Sequence, residues 1–475
     1  MFSNKKLFTS TFWSGCEVVS QQFVQIIISI ILARILSPSD FGIFATISIF
    51  IYTFPTLIEG GFTGAIVQKI DVNNSDKSTF FWYGIVISFL VILILWFLAP
   101  SISAFFDQPK LINIIRFISI GFLFTSLSNV HFAILLKELR FKERFISGLV
   151  SIIVSSILAL YLAFNGFGVW ALVIQNISFN LTKTITLYFI YPWFPKFIFN
   201  IKSFIEMFSY GKNLMLAMIV RNIFGNIHEI VIGKFYSAMN LGFYDRGKKF
   251  ARIAYEMPTT IISRTLFPAI SSIQEDKKDV IRIFKSFFSL SLILIWPLLI
   301  ILITSSEHFI RIILGEKWLQ TSDYLEILCI IGMLFPIHIL CYTLYNALGF
   351  SKLSLKTEIL KYTLSVIAIC FTYKYGIKFL LFGELIASFI AVSIMLFYAF
   401  KLLNLKFINL IFWIKNPLIG SAVIFYILRC LNLNNYLIIT LIYKIIIGIF
   451  VYLIILFICK DFYLKEFLKK IKNYD

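Results

Sequence analysis

Runs of about twenty apolar residues recur along almost the whole chain, and few charges interrupt them. A run of that length matches the hydrocarbon thickness of a bilayer. Inside hydrocarbon every backbone N–H and C=O must find a partner within the protein, so such runs are helices. The alternating ten-residue pattern of an outer-membrane barrel is absent. The chain is therefore expected to be an all-α polytopic membrane protein. Its 14% charged residues, against roughly 25% in soluble domains, agree with that class.

The apolar periodicity predicts about fourteen transmembrane helices. They fall near 10–36, 41–66, 79–99, 112–136, 142–164 and 168–190, then 208–235, 241–270, 284–304, 321–348, 355–373, 377–402, 409–430 and 436–459. Lys5 and Lys6 precede the first run with no small-residue cleavage site after it, which reads as a retained first helix. The net charge of +19 follows from basic inner loops. Lys137, Arg140, Lys142 and Arg144 form one; Lys277, Lys278, Arg282 and Lys285 another; Lys352, Lys356 and Lys361 a third. The tail adds Lys460, Lys465, Lys469, Lys470 and Lys472. The outer loops 37–40, 165–168 and 432–435 carry no Lys or Arg. Both termini are thus expected in the cytoplasm. No basic stretch is long and free of membrane segments, which argues against nucleic acid as a partner.

Cys16, Cys329, Cys341, Cys370, Cys430 and Cys459 lie scattered in apolar segments without CxxC spacing, so they read as packing residues. No His/Cys/Asp cluster has metal spacing, and no cofactor is implied. No GxxxxGK[ST] motif appears, so ATP is not the expected direct energy source.

The chain repeats itself. Residues 31–45 read ILARILSPSDFGIFA and residues 231–245 read VIGKFYSAMNLGFYD. The offset aligns Arg34 with Lys234, Ser37 with Ser237, Asp40 with Asn240 and Gly42 with Gly242. In both, a base ends one helix and an Asx residue caps the next. GAIVQ at 64–68 and PAISS at 268–272 end the second helix of each copy. Two six-helix lobes in the same orientation follow, at 1–190 and 207–402. A basic linker at 191–206 joins them, and two additional helices with a basic tail fill 403–475. Parallel repeats of this kind are a transporter architecture.

LARILSPSDFGIFA at 32–45 resembles the first-loop signature of bacterial polysaccharide exporters. GFTGAIVQK at 61–69, LKELRFKERF at 136–145 and GFGVWALVIQ at 166–175 resemble later blocks of the same family, in order. So do FYDRGKKFARI at 243–253, RTLFPAISSIQ at 264–274 and LGEKWLQTSDYLEIL at 314–328. The family belongs to the multidrug/oligosaccharidyl-lipid/polysaccharide flippase superfamily, and the similarity is to its colanic-acid and teichuronic-acid branch. The resemblance implies two six-helix lobes in a V, with helices one, two, seven and eight lining a cavity. It implies a bacterial inner-membrane flippase for undecaprenyl-diphosphate-linked oligosaccharides, serving O-antigen, capsule or exopolysaccharide synthesis. A glycan polymerase and glycosyltransferases are the partners it implies. The alternatives are a multidrug or cation antiporter of the same superfamily and a membrane-embedded glycan polymerase or ligase. The latter would need a sizeable outer loop, and the longest here lies around 305–320. The expectation is a transporter and not an enzyme.

A diphosphate suits Arg and Lys, and intramembrane charges are functional candidates by default. The seventh helix offers Arg221, Asn222, Asn226, His228 and Glu229. On the eighth, Asp245, Lys249, Arg252 and Glu256 follow spacings that form one stripe, which could also pair internally. The first helix offers Glu17, Gln21 and Gln25 on one face, and Arg34 at its end. Arg34 has an ordinary reading as helix-end anchor chemistry. The expected cavity residues are Arg221, Lys249, Arg252, Asn222, Asn226, His228, Gln21, Gln25 and Arg34. Glu59, Glu229 and Glu256 are candidates for coupling to an ion. Arg116, Arg264, Lys361, Glu384 and Lys444 read as helix-end or paired charges, and His131 and His338 as packing histidines.

Overall fold

The computed structural model describes residues 4–406, 408–431 and 437–458. Lys460, Lys465, Lys469, Lys470, Lys472, Cys459 and the 432–435 loop lie outside the described residues. Among those described, regular structure is entirely helical, and the chain divides into two compact units, Met1–Gly242 and Phe243–Asp475.

The first unit holds α1 (Asn4–Ile35), α2 (Pro38–Thr46), α3 (Ser48–Glu59), α4 (Phe62–Gln68) and α5 (Asn74–Phe105). It continues with α6 (Leu111–Lys137), α7 (Phe141–Phe164), α8 (Trp170–Ile190), α9 (Ile201–Gly225) and α10 (Ile227–Phe235). The start of α11 (Ala238–Ser271) completes it. The second unit holds the rest of α11, then α12 (Lys277–Thr304), α13 (Ser306–Ile313), a 3-10 turn (Glu316–Trp318) and α14 (Gln320–Gly332). After these come α15 (Phe335–Ala347), α16 (Ser351–Thr372), α17 (Ile377–Leu402), α18 (Ile408–Cys430) and α19 (Leu437–Ile458).

Among the described residues, eleven spans are long and apolar enough to cross a membrane. The protein is a multi-pass membrane protein. Three expected membrane helices, α8, α11 and α16, are not among the eleven. They are 21, 34 and 22 residues long, and even the shortest reaches about 31 Å at 1.5 Å per residue. Their composition sets them apart: α8 carries Asn176, Asn180 and Lys183, and α16 carries Lys356, Glu358 and Lys361. Outward-facing phenylalanines such as Phe97 and Phe412 leave large apolar surfaces uncovered, as a hydrocarbon surrounding permits.

Several segments differ from the sequence expectation, three of them outside α9 and α10. The helix expected over 41–66 breaks at Gly60 and Gly61, both left-handed at φ +60° and +73°. A Cβ on Gly61 would strike the Gly211 carbonyl, so this pair of glycines lets α9 approach the α3–α4 corner. The helix expected over 321–348 breaks at Met333 and Leu334, and Pro336 sits in the first turn of α15, where its missing N–H costs nothing. The expected outer loop around 305–320 folds as α13 and the 3-10 turn, and Trp318 is fully buried.

The segment after α8 is strapped to α5. The Trp82 indole donates to the Lys196 carbonyl at 2.8 Å. The backbone amides of Lys196 and Asn200 donate to Ser78 and Thr79 at 3.1 and 3.0 Å. Asn200 then caps α9, its side chain accepting from the amides of Lys202 and Ser203. Lys69 bridges Asp76 at 2.9 Å and Glu206 at 3.5 Å. The hydrogen bond to Asp76 holds the Lys69 ammonium above its ordinary lysine value. These ties fix where α9 begins and so how its polar face is presented.

The repeated segments share one local geometry. Ser37 and Asp40 form a capping box at the start of α2. Ser237 accepts the Asn240 amide at 3.2 Å in the first turn of α11. The two first turns cross: a Cβ on Gly42 would strike the Ala238 carbonyl, and one on Gly242 the Pro38 carbonyl. Only glycine tolerates that approach at both positions.

Candidate functional site

Within the first unit four helices bring charges together around an aromatic ring of a fifth. Arg144, in the first turn of α7, reaches Glu17 on α1 at 3.1 Å. Both side chains are nearly buried, at 12% and 11% exposure. The Arg144 guanidinium lies 4.1 Å from the centre of the Phe132 ring of α6. The Lys183 ammonium of α8 lies 4.5 Å from the centre of that same ring. One aromatic side chain therefore holds two cations against its π-system, an attraction that strengthens as water is excluded. Glu59, the last residue of α3, lies within electrostatic reach of Lys183. Glu17, Glu59, Arg144 and Lys183 thus form a cluster of two carboxylates and two cations. In low dielectric such a cluster persists only because the signs balance.

Gln21 belongs to the same region. Its amide packs so tightly on α7 that a Cβ on Gly148 would strike it. Gln25 and Arg34 are exposed further along α1. On α9, Arg221 is exposed, whereas Asn222 turns to α3 and donates to the Tyr52 carbonyl at 2.9 Å and the Thr56 hydroxyl at 3.3 Å. Asn226 sits at the α9–α10 break and donates to the Asn222 carbonyl at 2.7 Å. The expected single helix over 208–235 ends there because Asn226 leaves helical geometry at φ −115°, ψ 17°. His228 and Glu229 are buried in the first turn of α10.

In the second unit two ion pairs of α11 lie along their own helix. Arg252 binds Glu256 through two hydrogen bonds of 2.6 and 3.1 Å. Asp245 pairs with its neighbour Arg246. Lys249, one turn on, is half-buried. Deeper in this unit His338 of α15 meets Glu358 of α16 at 2.9 Å. The hydroxyls of Ser365 and Ser388 both donate to Glu384 of α17.

The residues that sequence reasoning passed over are Lys183 and Phe132. The signal for Lys183 was present: it is a lone base well inside an apolar helix, which the cost of intramembrane charge marks out. Phe132 gave none, being one of 54 phenylalanines.

The arrangement can bind anions. Two cations lean on one ring, each with a carboxylate in reach, and phosphate oxygens could take a carboxylate's place on either.

A profile described as polysaccharide biosynthesis protein matches residues 31–323. The chain is 25% identical over 336 residues to the teichuronic acid biosynthesis protein TuaB of Bacillus subtilis, covering 70% of this chain and 69% of that one. It is 24% identical over 347 residues to the lipopolysaccharide biosynthesis protein WzxC of Escherichia coli, covering 70% and 68%. Among solved structures it is similar to the lipid II flippase MurJ in an inward closed conformation. That match has a TM-score of 0.78 and 16% identity, and covers 93% of this chain and 97% of that one. The fold is thus one that a flippase also adopts, and the profile spans well over half of the sequence. The chain belongs to the polysaccharide biosynthesis protein family.

Proposed function

We propose that this protein flips undecaprenyl-diphosphate-linked oligosaccharide repeat units across the bacterial cytoplasmic membrane by alternating access, as a transporter and not an enzyme. The observation that carries this reading is the Glu17–Arg144–Phe132–Lys183–Glu59 cluster. A diphosphate cannot enter hydrocarbon without counter-charge, and two ring-backed cations inside a membrane unit supply it. The names of the relatives support the substrate class: one is a teichuronic acid biosynthesis protein, another a lipopolysaccharide biosynthesis protein, and the structural relative is a lipid II flippase.

Depth supports the direction of loading. With fourteen helices and both termini in the cytoplasm, α7 starts and α8 ends on the inner side. Arg144 then sits in the first inner turn of α7. Lys183 sits seven residues, about 10 Å, from the inner end of α8 at Ile190. The cations lie in the inner half, where a lipid-linked substrate assembled in the cytoplasm would arrive. Arg221 and Asn226 are proposed as further polar wall in the first unit, Gln25 and Arg34 as contacts nearer its outer side, and Lys249 as a separate substrate contact in the second unit. A multidrug antiporter would also use this superfamily fold, but the names of the sequence relatives, both biosynthesis proteins of surface polysaccharides, favour a lipid-linked glycan over a cationic drug. Six-helix lobes at 1–190 and 207–402 joined by the 191–206 linker, and a polymerase and glycosyltransferases acting alongside, complete the proposal.

The test is a lipid-linked glycan profile of cells lacking the gene, complemented with wild type, Lys183→Ala or Arg144→Ala. Undecaprenyl-linked repeat units should accumulate in the deletion strain, and wild type alone should clear them. Full clearance by both variants would remove the cluster from the mechanism. An unchanged glycan profile in the deletion strain would remove the flippase reading itself.

A further inference from the structure

Three helix ends of the second unit meet around a cavity of about 630 Å³. They are the start of α12, the end of α15 with its turn into α16, and the end of α17. Local sequence builds each of them. After α15, Gly349 takes a left-handed φ of +82°, and the Phe350 amide donates back to the Tyr345 carbonyl at 2.8 Å. After α17, Asn404 is left-handed at φ +55°, and the Leu405 amide donates back to the Phe400 carbonyl at 2.9 Å. Both are closures in which a left-handed residue stops the helix and satisfies its last carbonyls. Asp276 starts α12, accepting from the amides of Lys278 and Asp279 at 2.8 and 3.3 Å.

The charges around the cavity suit an anion of one negative charge. Lys277 lines it from the first turn of α12, and Lys401 from the last turn of α17. Among the described residues neither lysine joins an ion pair. Lys401 sits where a helix dipole favours a base, but Lys277 sits at the opposite end, where the dipole favours an anion. An anion held between them turns that cost into a gain. Among the lining residues Glu275 is the one acid, so two bases and one acid leave a single net positive charge. A phosphodiester carries a single negative charge; a diphosphate carries more. Gln274 and Tyr398 add hydrogen-bonding groups, and Tyr398 lies one turn before Lys401 on the same face of α17.

The apolar side of the cavity selects what carries the phosphodiester. Leu348, Phe350 and Leu353 form its wall towards α16, and Phe350 is exposed. Leu355 and Ile359 continue the exposed apolar surface along α16, and Phe397 does so on α17, one turn before Lys401. A soluble anion leaves these side chains bare, whereas an acyl chain covers them. Under the orientation proposed above, the three helix ends lie at the inner surface and these side chains lead from it into the membrane. Basic pockets between membrane helices on that side suit anionic lipid head groups.

We propose that this cavity binds an anionic glycerophospholipid of the inner leaflet. Its phosphodiester lies between Lys277 and Lys401, its polar head beside Gln274 and Tyr398, and its acyl chains along α16 and α17. One lipid held in this way bridges the ends of α12 and α17. The site is separate from the charge cluster of the first unit, and it stands whatever the protein transports.

The experiment uses the full chain in phosphatidylcholine nanodiscs that carry a photoactivatable phosphatidylglycerol, with labelled peptides identified by mass spectrometry. Both leaflets carry the probe, so the result does not depend on orientation. Wild type should be labelled within 274–280, 348–353 or 398–403. Unlabelled phosphatidylglycerol should compete for that label, and the phosphatidylcholine in excess should not. Lys277→Gln and Lys401→Gln should each weaken binding about fivefold, and the double variant about twenty-fivefold. Both lysines are exposed, so the variants should fold as wild type does. Lys278→Gln removes the neighbouring exposed charge outside the lining and should bind as wild type. Absence of label at the three segments overturns the proposal, and so does equal labelling by a photoactivatable phosphatidylcholine. An equal loss in Lys278→Gln overturns it in favour of a diffuse basic surface. Competition by glycerol phosphate as strong as by the lipid overturns it in favour of a soluble anion.

Discussion

The cluster around Phe132 in the first unit and the α11 stripe in the second manage their charges in different ways. In the first, Arg144 pairs with Glu17 across 127 residues of sequence, and its guanidinium and the Lys183 ammonium share the Phe132 ring. In the second, the α11 charges pair within one turn: Arg252 with Glu256, Asp245 with Arg246. A cross-helix pair ties helices together, and its charges are freed only if those helices or their side chains move. A one-turn pair moves with its helix and stabilises little else. The first arrangement suits a site whose occupant must replace an existing partner. The second suits a helix that keeps its own charge balanced as it moves.

The largest effect should come from breaking the first arrangement at its cations. Lys183→Ala and Arg144→Ala should each abolish polysaccharide export to background. Lys183→Arg, which keeps the charge over Phe132, should retain part of it. Export equal to wild type in Lys183→Ala would leave the two units functionally alike and end the contrast.

Next comes the carboxylate. Glu17→Ala leaves Arg144 buried with its ring contacts but without its carboxylate. Removing one member of a buried pair costs about 3–5 kcal/mol. The purified variant should therefore melt well below wild type in a thermal-shift measurement. Glu17→Gln, which can still accept a hydrogen bond, should recover much of the loss. A Glu17→Ala protein as stable as wild type would show that solvent already screens this pair.

How much of this was readable beforehand follows from the same contrast. The α11 stripe was visible because its spacings of four, three and four are local, and a helix converts spacing directly into a face. The shared cap of Ser37/Asp40 and Ser237/Asn240 was visible for the same reason. The first-unit cluster was not, because Glu17, Phe132, Arg144 and Lys183 meet only once α1, α6, α7 and α8 have packed. Arg144 was counted among the inner bases at the start of the helix expected over 142–164, and nothing local shows that it turns inward to Glu17. The breaks in long apolar runs were hidden as well. Gly60 and Gly61 look like tolerated helix glycines until Gly211 is seen against them.

That corner gives an intermediate prediction. Gly61→Val places a branched side chain at φ +73° against the Gly211 backbone. Strain and overpacking of this sort cost about 1–3 kcal/mol. The variant should be less stable by that amount, and Gly211→Val should behave alike, since both open the same contact. If only one is destabilised, α9 can yield at this corner, and the first unit is less rigid than its packing indicates.

The smallest effect belongs to the one-turn pair. Arg252 and Glu256 are 51% and 31% exposed, and an exposed pair of this kind contributes about 0–1 kcal/mol. Arg252→Ala and Glu256→Ala should each leave the melting temperature almost unchanged, and the double variant should show little coupling. Export supplies the sharper half of the test. If Arg252→Ala exports normally, the stripe on α11 is charge balance along one helix, and the contrast between the units stands. If export falls while stability holds, Arg252 reaches substrate despite its local partner. Glu256 would then hold the guanidinium in the first unit's manner, by a carboxylate that the substrate displaces.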